Sequence, residues 1–288
     1  GVWPPSPDCY NVFVFGGSTV FGHGVSDEQT TASFMQEELA SIAKGSRDIK
    51  IYNFGRGNYY STQERILFSN LLVEGFIPDM ALFIDGAADF THPDDRPAFS
   101  NHFEYLFERL NANAAKAKPL FSFKSWLAGL PAMNIVKAVK TCFRNDKQGK
   151  HVGNQEFSLH HSDALIIEKV LNRYMQNKKS IEALSKAYHV RTVFVWQPCP
   201  LYKYDLAYHL FGDEMLKKGA KMMVVDGYPR MRKRMEEHLL GDNFLWCADI
   251  QENVKQPLYV EKVHYTDDMN RRLAKEIVNQ MQTRNLLP

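Results

Sequence analysis

The sequence predicts a doubly wound α/β/α domain built on a five-stranded parallel sheet. Three observations point to it. Strand-like and helix-like segments alternate from Asn11 to Asp89. The strand-like runs are short and continuously apolar, the pattern of strands covered on both faces. The same alternation returns after about residue 160 and runs to the end of the chain.

The elements follow in order. Asn11 to Phe15 (NVFVF) reads as a buried strand stopped by Gly16-Gly17. From about Thr30 to Lys44, Phe34, Leu39, Ile42 and Ala43 share a helical face. Ile49 to Phe54 is a second strand, ended by Gly55-Arg56-Gly57. Gln63 to Gly75 is a helix closed by its glycine. Met80 to Asp85 (MALFID) is a third strand. Residues 91–160 contain no clear strand and read as a helical insertion, a cap or lid, within a single domain spanning 1–288. A long helix is expected over about Ser162 to Tyr188, and a fourth strand over Arg191 to Trp196. Helices follow over about Asp213 to Lys221 and about Pro229 to Leu240. Phe244 to Cys247 is a fifth strand, and Asp267 to Arg284 a closing helix.

Composition narrows the function. The chain has 288 residues, 44% hydrophobic and 24% charged, with a formal net charge of +2. Its apolar share builds a core and excludes disorder as the dominant state. The near-neutral balance argues against a dedicated nucleic-acid partner. Two basic clusters, Lys137 to Lys150 and Arg230 to Arg234, read as solvated helix faces. Cys9, Cys142, Cys199 and Cys247 form no CxxC pair, so neither a zinc ribbon nor a redox motif is indicated. Cys199 and Cys247 lie in or beside apolar runs and are expected in the core. The histidines show no HExxH, and the adjacent His160 and His161 do not share a helix face, so no metal is expected. No stretch reaches the roughly 18 apolar residues of a spanning helix. Gly1 is not a natural initiator, so processing or a recombinant start is expected, and an export signal or membrane anchor could have been removed upstream. An exported or periplasmic location and a cytoplasmic one both remain open.

Doubly wound folds place ligands beyond the carboxyl ends of their strands. Four elements there, or before the last helix, bear reactive groups. Gly16-Gly17-Ser18-Thr19 follows the first strand and exposes a hydroxyl at a tight turn. Serine attacks only when a base removes its proton, and a histidine base needs a partner that fixes its tautomer. His264, with Glu261 three residues before it, supplies both. Gly55-Arg56-Gly57-Asn58 and Asp85-Gly86-Ala87-Ala88-Asp89 complete the set. Rival readings fail on particular residues. Gly17 to Gly22 has phosphate-loop spacing, but His23 stands where the lysine belongs. Gly55-x-Gly57 has Tyr60 in place of the third glycine of a dinucleotide fingerprint. Gly16-x-Ser18 has Val20 in place of the last glycine of a nucleophile elbow.

Taken together, FVFGGSTVFG, YNFGRGNYYSTQE, LFIDGAADF and YVEKVHYT resemble, in order and rough spacing, the blocks of the SGNH (GDSL-like) hydrolase family. The resemblance covers most of the chain outside 91–160. It implies a flavodoxin-like three-layer α/β/α sandwich and cofactor-free esterase, lipase or carbohydrate O-acyl chemistry. Ser18 then looks like the nucleophile, His264 the base and Glu261 the acid. The N–H groups of Ser18 and Gly57 look like oxyanion donors, with Gly55 the other candidate for the second. Asn58 and Tyr59 are candidate substrate contacts, and Tyr59 and Tyr60 read either as a sugar-stacking pair or as packing residues.

The departures from the family pattern are specific. Gly17 replaces the aspartate of the usual Gly-Asp-Ser, and Glu261 replaces the usual aspartate acid. Ala88 stands where the third block has an asparagine that donates to the oxyanion. Ala88 reads as an engineered substitution that traps a ligand, as a natural change offset by another donor such as Asn58, or as the mark of a non-catalytic relative. The expected activity is a serine esterase acting on small acyl esters or O-acylated carbohydrate. An O-acyltransferase and a binding protein are the alternatives. Residues 119–139, aromatic and flanked by lysines, read as a packed cap, a lid, or a membrane-surface helix. Nothing requires a dimer.

Overall fold

A computed structural model of the chain describes residues 1–42, 47–95, 164–212 and 222–287. Its strands are β1 (Tyr10–Gly16), β2 (Ile49–Asn53), β3 (Met80–Asp85), β4 (Arg191–Trp196) and β5 (Phe244–Trp246). They form one parallel sheet in the order β2-β1-β3-β4-β5. The flanking helices are α1 (Ser18–Phe21), α2 (Thr31–Ile42), α3 (Ser61–Val73), α4 (Ala87–Thr91), α5 (Ala164–Ala187), α6 (Met222–Glu236) and α7 (Asp267–Thr283).

Strand alternation divides the core by chemistry. On one face, Phe13, Phe15, Phe83, Phe194 and Trp196 pack against α3, α5 and α6. The Phe15 and Phe83 rings stack at 4.9 Å, and Phe83 and Phe194 at 5.3 Å. On the other face, Val12, Val14, Leu82, Ile84, Val193 and Val195 pack against α2 and α7. Every β3 residue is buried, which explains why its sequence shows no polar alternation. Cys199 and Cys247 are buried free thiols. No helix among the described residues is long and apolar enough to cross a membrane.

The strands and the expected helices in the described segments are present, with two helix starts displaced. α3 begins at Ser61 rather than Gln63, because Ser61 and Thr62 bury their hydroxyls against Asn177 of α5. α6 begins by Met222, and Pro229 lies inside it rather than at its start. Pro229 removes one backbone donor, but Met223, Val224, Tyr228 and Met231 of the same helix are buried. That packing outweighs the local preference. The basic residues of α6 are paired: Arg230 and Arg234 with Glu168, Arg232 with Glu236 and Asp249. The insertion reading beyond Asp95, the 119–139 segment, Lys137 to Lys150, Cys142, His160, His161 and the helix over 213–221 lie outside the described residues.

Candidate active site

The sheet order places a topological switch between β1 and β3, whose connections leave toward β2 and β4 respectively. Doubly wound folds open their ligand crevice there. Gly16 and Ile84 are register partners, so the ends of β1 and β3 are nearly level. Ser18 follows one end and Ala88 the other.

Ser18 opens α1, whose turn closes through Phe21 N–H to Gly17 O (3.0 Å) and Gly22 N–H to Ser18 O (3.2 Å). The β2–α3 loop runs alongside, tied down by Arg56 N–H to Gly16 O (3.0 Å). Its approach explains Gly17. A Cβ at that position would lie 2.8 Å from the Tyr59 carbonyl oxygen, too close for a side chain without a backbone shift. The aspartate usual in the family has no room here.

The same loop separates the two candidate oxyanion glycines. Gly55 donates its N–H to Asn53 Oδ1 (2.9 Å), and a Cβ on it would collide with the Phe21 backbone nitrogen. Its role is to let α1 rest on the loop. The N–H groups of Gly57 and Ser18 have no partner among the described residues, and nothing lies within 4 Å of where a Gly57 Cβ would stand. Asn58 is exposed in the adjoining turn with φ 62°. Tyr59 is half-buried under Arg56, whose guanidinium donates to its hydroxyl (3.3 Å). Tyr60 is fully buried, stacked on His92 at 4.4 Å, and is therefore a packing residue.

His264, the candidate base, is presented by a tight turn before α7. Tyr259 and Tyr265 form an antiparallel bridge, Val260 N–H donates to His264 O (2.9 Å), and Thr266 caps α7. The turn brings Glu261 and His264 together and carries both to Ser18. Ser18 Oγ lies 2.6 Å from His264 Nε2, and His264 Nδ1 is in hydrogen-bond contact with Glu261 Oε1. With the proton on Nδ1, the ring donates to the carboxylate and offers its Nε2 lone pair to the serine hydroxyl. Burial lowers the His264 pKa from its ordinary value. Glu261 opposes that shift, and the neighbouring His23 adds to it. A neutral, proton-accepting imidazole results near pH 7.

Ala88 lies beside the nucleophile turn, its methyl 3.9 Å from the position of a Gly17 Cβ. It brings no donor there. Asp89 faces the interior, accepting from Ser61 Oγ (2.6 Å) and paired with Arg173 at 3.5 Å. It anchors α4 to α3 and α5.

Two residues near the relay were not indicated by the sequence. Gln197 Oε1, at the end of β4, accepts from Thr19 Oγ1 (2.8 Å) and Tyr265 OH (3.1 Å), linking the nucleophile helix to the turn that holds the base. His23 is exposed, its ring 4.5 Å from that of His264. A Gln-Pro pair after a strand would be the only sequence signal for Gln197. His23 has none, since its ring partner lies near the other end of the chain.

No family model matches the chain, and no curated protein matches it in sequence. Solved structures do. The lipase Lip_vut3 from a goat rumen metagenome is 8% identical with a TM-score of 0.51, over 94% of this chain and 96% of that one. A member of the lipolytic protein G-D-S-L family from Veillonella parvula is 11% identical with a TM-score of 0.45, over 93% and 96%. An acetyl xylan esterase from Geobacillus stearothermophilus, solved as a point variant, is 13% identical with a TM-score of 0.48, over 94% of each chain. In fold, the chain is similar to the lipase Lip_vut3, in keeping with the parallel α/β architecture that its sequence predicts.

Proposed function

We propose that this protein is an SGNH-type serine esterase acting on small acyl esters or O-acyl groups of carbohydrate. The observation that supports the reading most is the relay Ser18–His264–Glu261 at the switch point of the sheet. In this reading residues 1–288 form one hydrolase domain, and 91–160 is an insertion within it.

The mechanism is two-step acyl transfer. His264 Nε2 takes the Ser18 proton as Oγ attacks the ester carbonyl. Glu261 accepts the Nδ1–H bond and stabilises the imidazolium that forms. The Ser18 and Gly57 N–H groups donate to the oxyanion. His264 then gives its proton to the departing alcohol. Water, deprotonated by the same nitrogen, attacks the acyl-enzyme and releases the acid and free Ser18.

Ala88 sets the rate expectation. Loss of one oxyanion donor costs about 10²–10³-fold in turnover. Ala88→Asn should therefore raise p-nitrophenyl acetate hydrolysis toward that factor, and Ala88→Asn with Ser18→Ala should abolish the gain. Hydrolysis by neither the parent chain nor Ala88→Asn above the Ser18→Ala background would overturn the esterase reading.

A further inference from the structure

His23 has no part in the proposed reaction, yet its ring stands beside the base. Donor atoms of His23, His264 and Glu261 all lie within 4.8 Å of one another. Two imidazoles and a carboxylate, completed by water, are a well-matched ligand set for zinc. We propose that these three residues form a site for a divalent transition-metal ion such as Zn²⁺, and that its binding switches the Ser18 relay off. The inhibitory half of this proposal rests on the esterase reading; the binding half does not.

The surroundings allow the ligands to close. Zinc ligands about 2.0–2.2 Å from the ion stand roughly 3.3 Å apart in a tetrahedron. The donors lie within 4.8 Å of one another, so the widest pair needs to close by at most about 1.5 Å. The His23 ring is exposed and makes no hydrogen bond to the described residues. Glu261 is 44% exposed at its side chain, so it can turn without being stripped of water. His264, at 12%, is the fixed member, held by the turn that precedes α7. The exposed pair would fold onto the buried one.

Whichever nitrogen of His264 binds the ion, the base is lost. Metal on Nε2 occupies the lone pair that receives the Ser18 proton, 2.6 Å away. Metal on Nδ1 displaces the proton shared with Glu261, and a neutral ring then carries its proton on Nε2. That nitrogen would donate to Ser18 Oγ rather than accept from it. Glu261, drawn to the ion, would also stop orienting the ring. The ion is thus an inhibitor competing with the triad's own hydrogen bonds, not a catalyst.

The test uses the full chain after chelator treatment. Zn²⁺ binding is measured by calorimetry, and Co²⁺ binding by the visible bands of a four-coordinate ion, in the parent chain, Ser18→Ala, His23→Ala and the near-isosteric His23→Gln. Inhibition of p-nitrophenyl acetate hydrolysis by Zn²⁺ is measured in parallel, each variant against its own metal-free rate. The proposal predicts one ion bound per chain in the parent and in Ser18→Ala. Both His23 variants should weaken binding and inhibition by at least about 10-fold, the lower range seen for losing even an outer partner of a metal site. Absence of saturable binding in both the parent and Ser18→Ala would overturn it, as would binding or inhibition that is unchanged in both His23 variants. Metal binding that needs His23 in a chain without hydrolysis would retain the metal site and sink the esterase reading. Hydrolysis without metal binding would do the reverse.

Discussion

At the residue scale, the proposed reaction makes Glu261 the residue that decides how well His264 works as a base. It is half exposed, one methylene longer than the family's usual aspartate, and still reaches Nδ1. Glu261→Gln should lower kcat by roughly 10²–10⁴-fold, the usual span for a general acid–base contribution. It should also move the acid limb of the kcat/KM profile. Burial already holds the His264 pKa below its ordinary value, and Glu261 is the group that raises it. The parent limb should therefore lie below the usual histidine range, and the variant's lower still. A variant limb at higher pH would contradict this assignment. Gly17 gives a second residue-scale test. Gly17→Asp, which would restore the common Gly-Asp-Ser, pushes a Cβ to 2.8 Å from the Tyr59 carbonyl. It should cost about 1–3 kcal/mol, as overpacking does, and thermal melts would show it. The sequence singled out Ser18, His264 and Glu261 as candidates because each sits in a block with its own local pattern, and the fold brings the three into hydrogen-bond contact. It left Gly55 and Gly57 unresolved, because only the bond to Asn53 tells them apart.

At the element scale, the interior of the sheet face carrying α3 is unusual. Glu64 of α3 and Asp85 at the end of β3 are both buried, close to buried Asp89. Burial raises the Glu64 and Asp85 carboxyls well above their ordinary range; Asp85 and Asp89 raise Glu64 further, and Asp89 raises Asp85 while the hydrogen bond with Glu64 opposes that shift. The sign follows directly. The folded chain holds protons on these carboxyls that the unfolded chain releases above about pH 4, so their contribution to stability is greatest at low pH and falls as pH rises toward the raised values. Each proton held costs up to about 1.4 kcal/mol per pH unit across that window. Glu64→Gln should flatten the fall of Tm between about pH 5 and 8 and raise Tm most at the upper end. An unchanged slope would show that Glu64 is ionised in the fold. Nothing in the sequence around Glu64 announces this, since a glutamate in a helix reads as surface. The strands were legible for the opposite reason: short apolar runs, each beside a turn residue, admit few other readings. The start of α6 was not, because Pro229 is a local signal and the burial of Met223 and Tyr228 is a tertiary one.

At the scale of the whole molecule, the fold delivers its chemistry to one edge. The ends of β1 and β3, the loop after β2 and the turn before α7 all converge at the switch point, while both faces of the sheet are sealed by helices. Gln197 joins two of these elements through Thr19 and Tyr265, so the segments carrying Ser18 and His264 are linked through one amide at the end of a central strand. Such convergence suits a site built for proton transfer from a serine. The most direct test is labelling with a fluorophosphonate, in which Ser18 Oγ would attack phosphorus and expel fluoride. The account predicts one adduct per chain, mapped by mass spectrometry to Ser18, and lost in both Ser18→Ala and His264→Ala. No adduct on a folded chain, or an adduct that persists in Ser18→Ala, would contradict it.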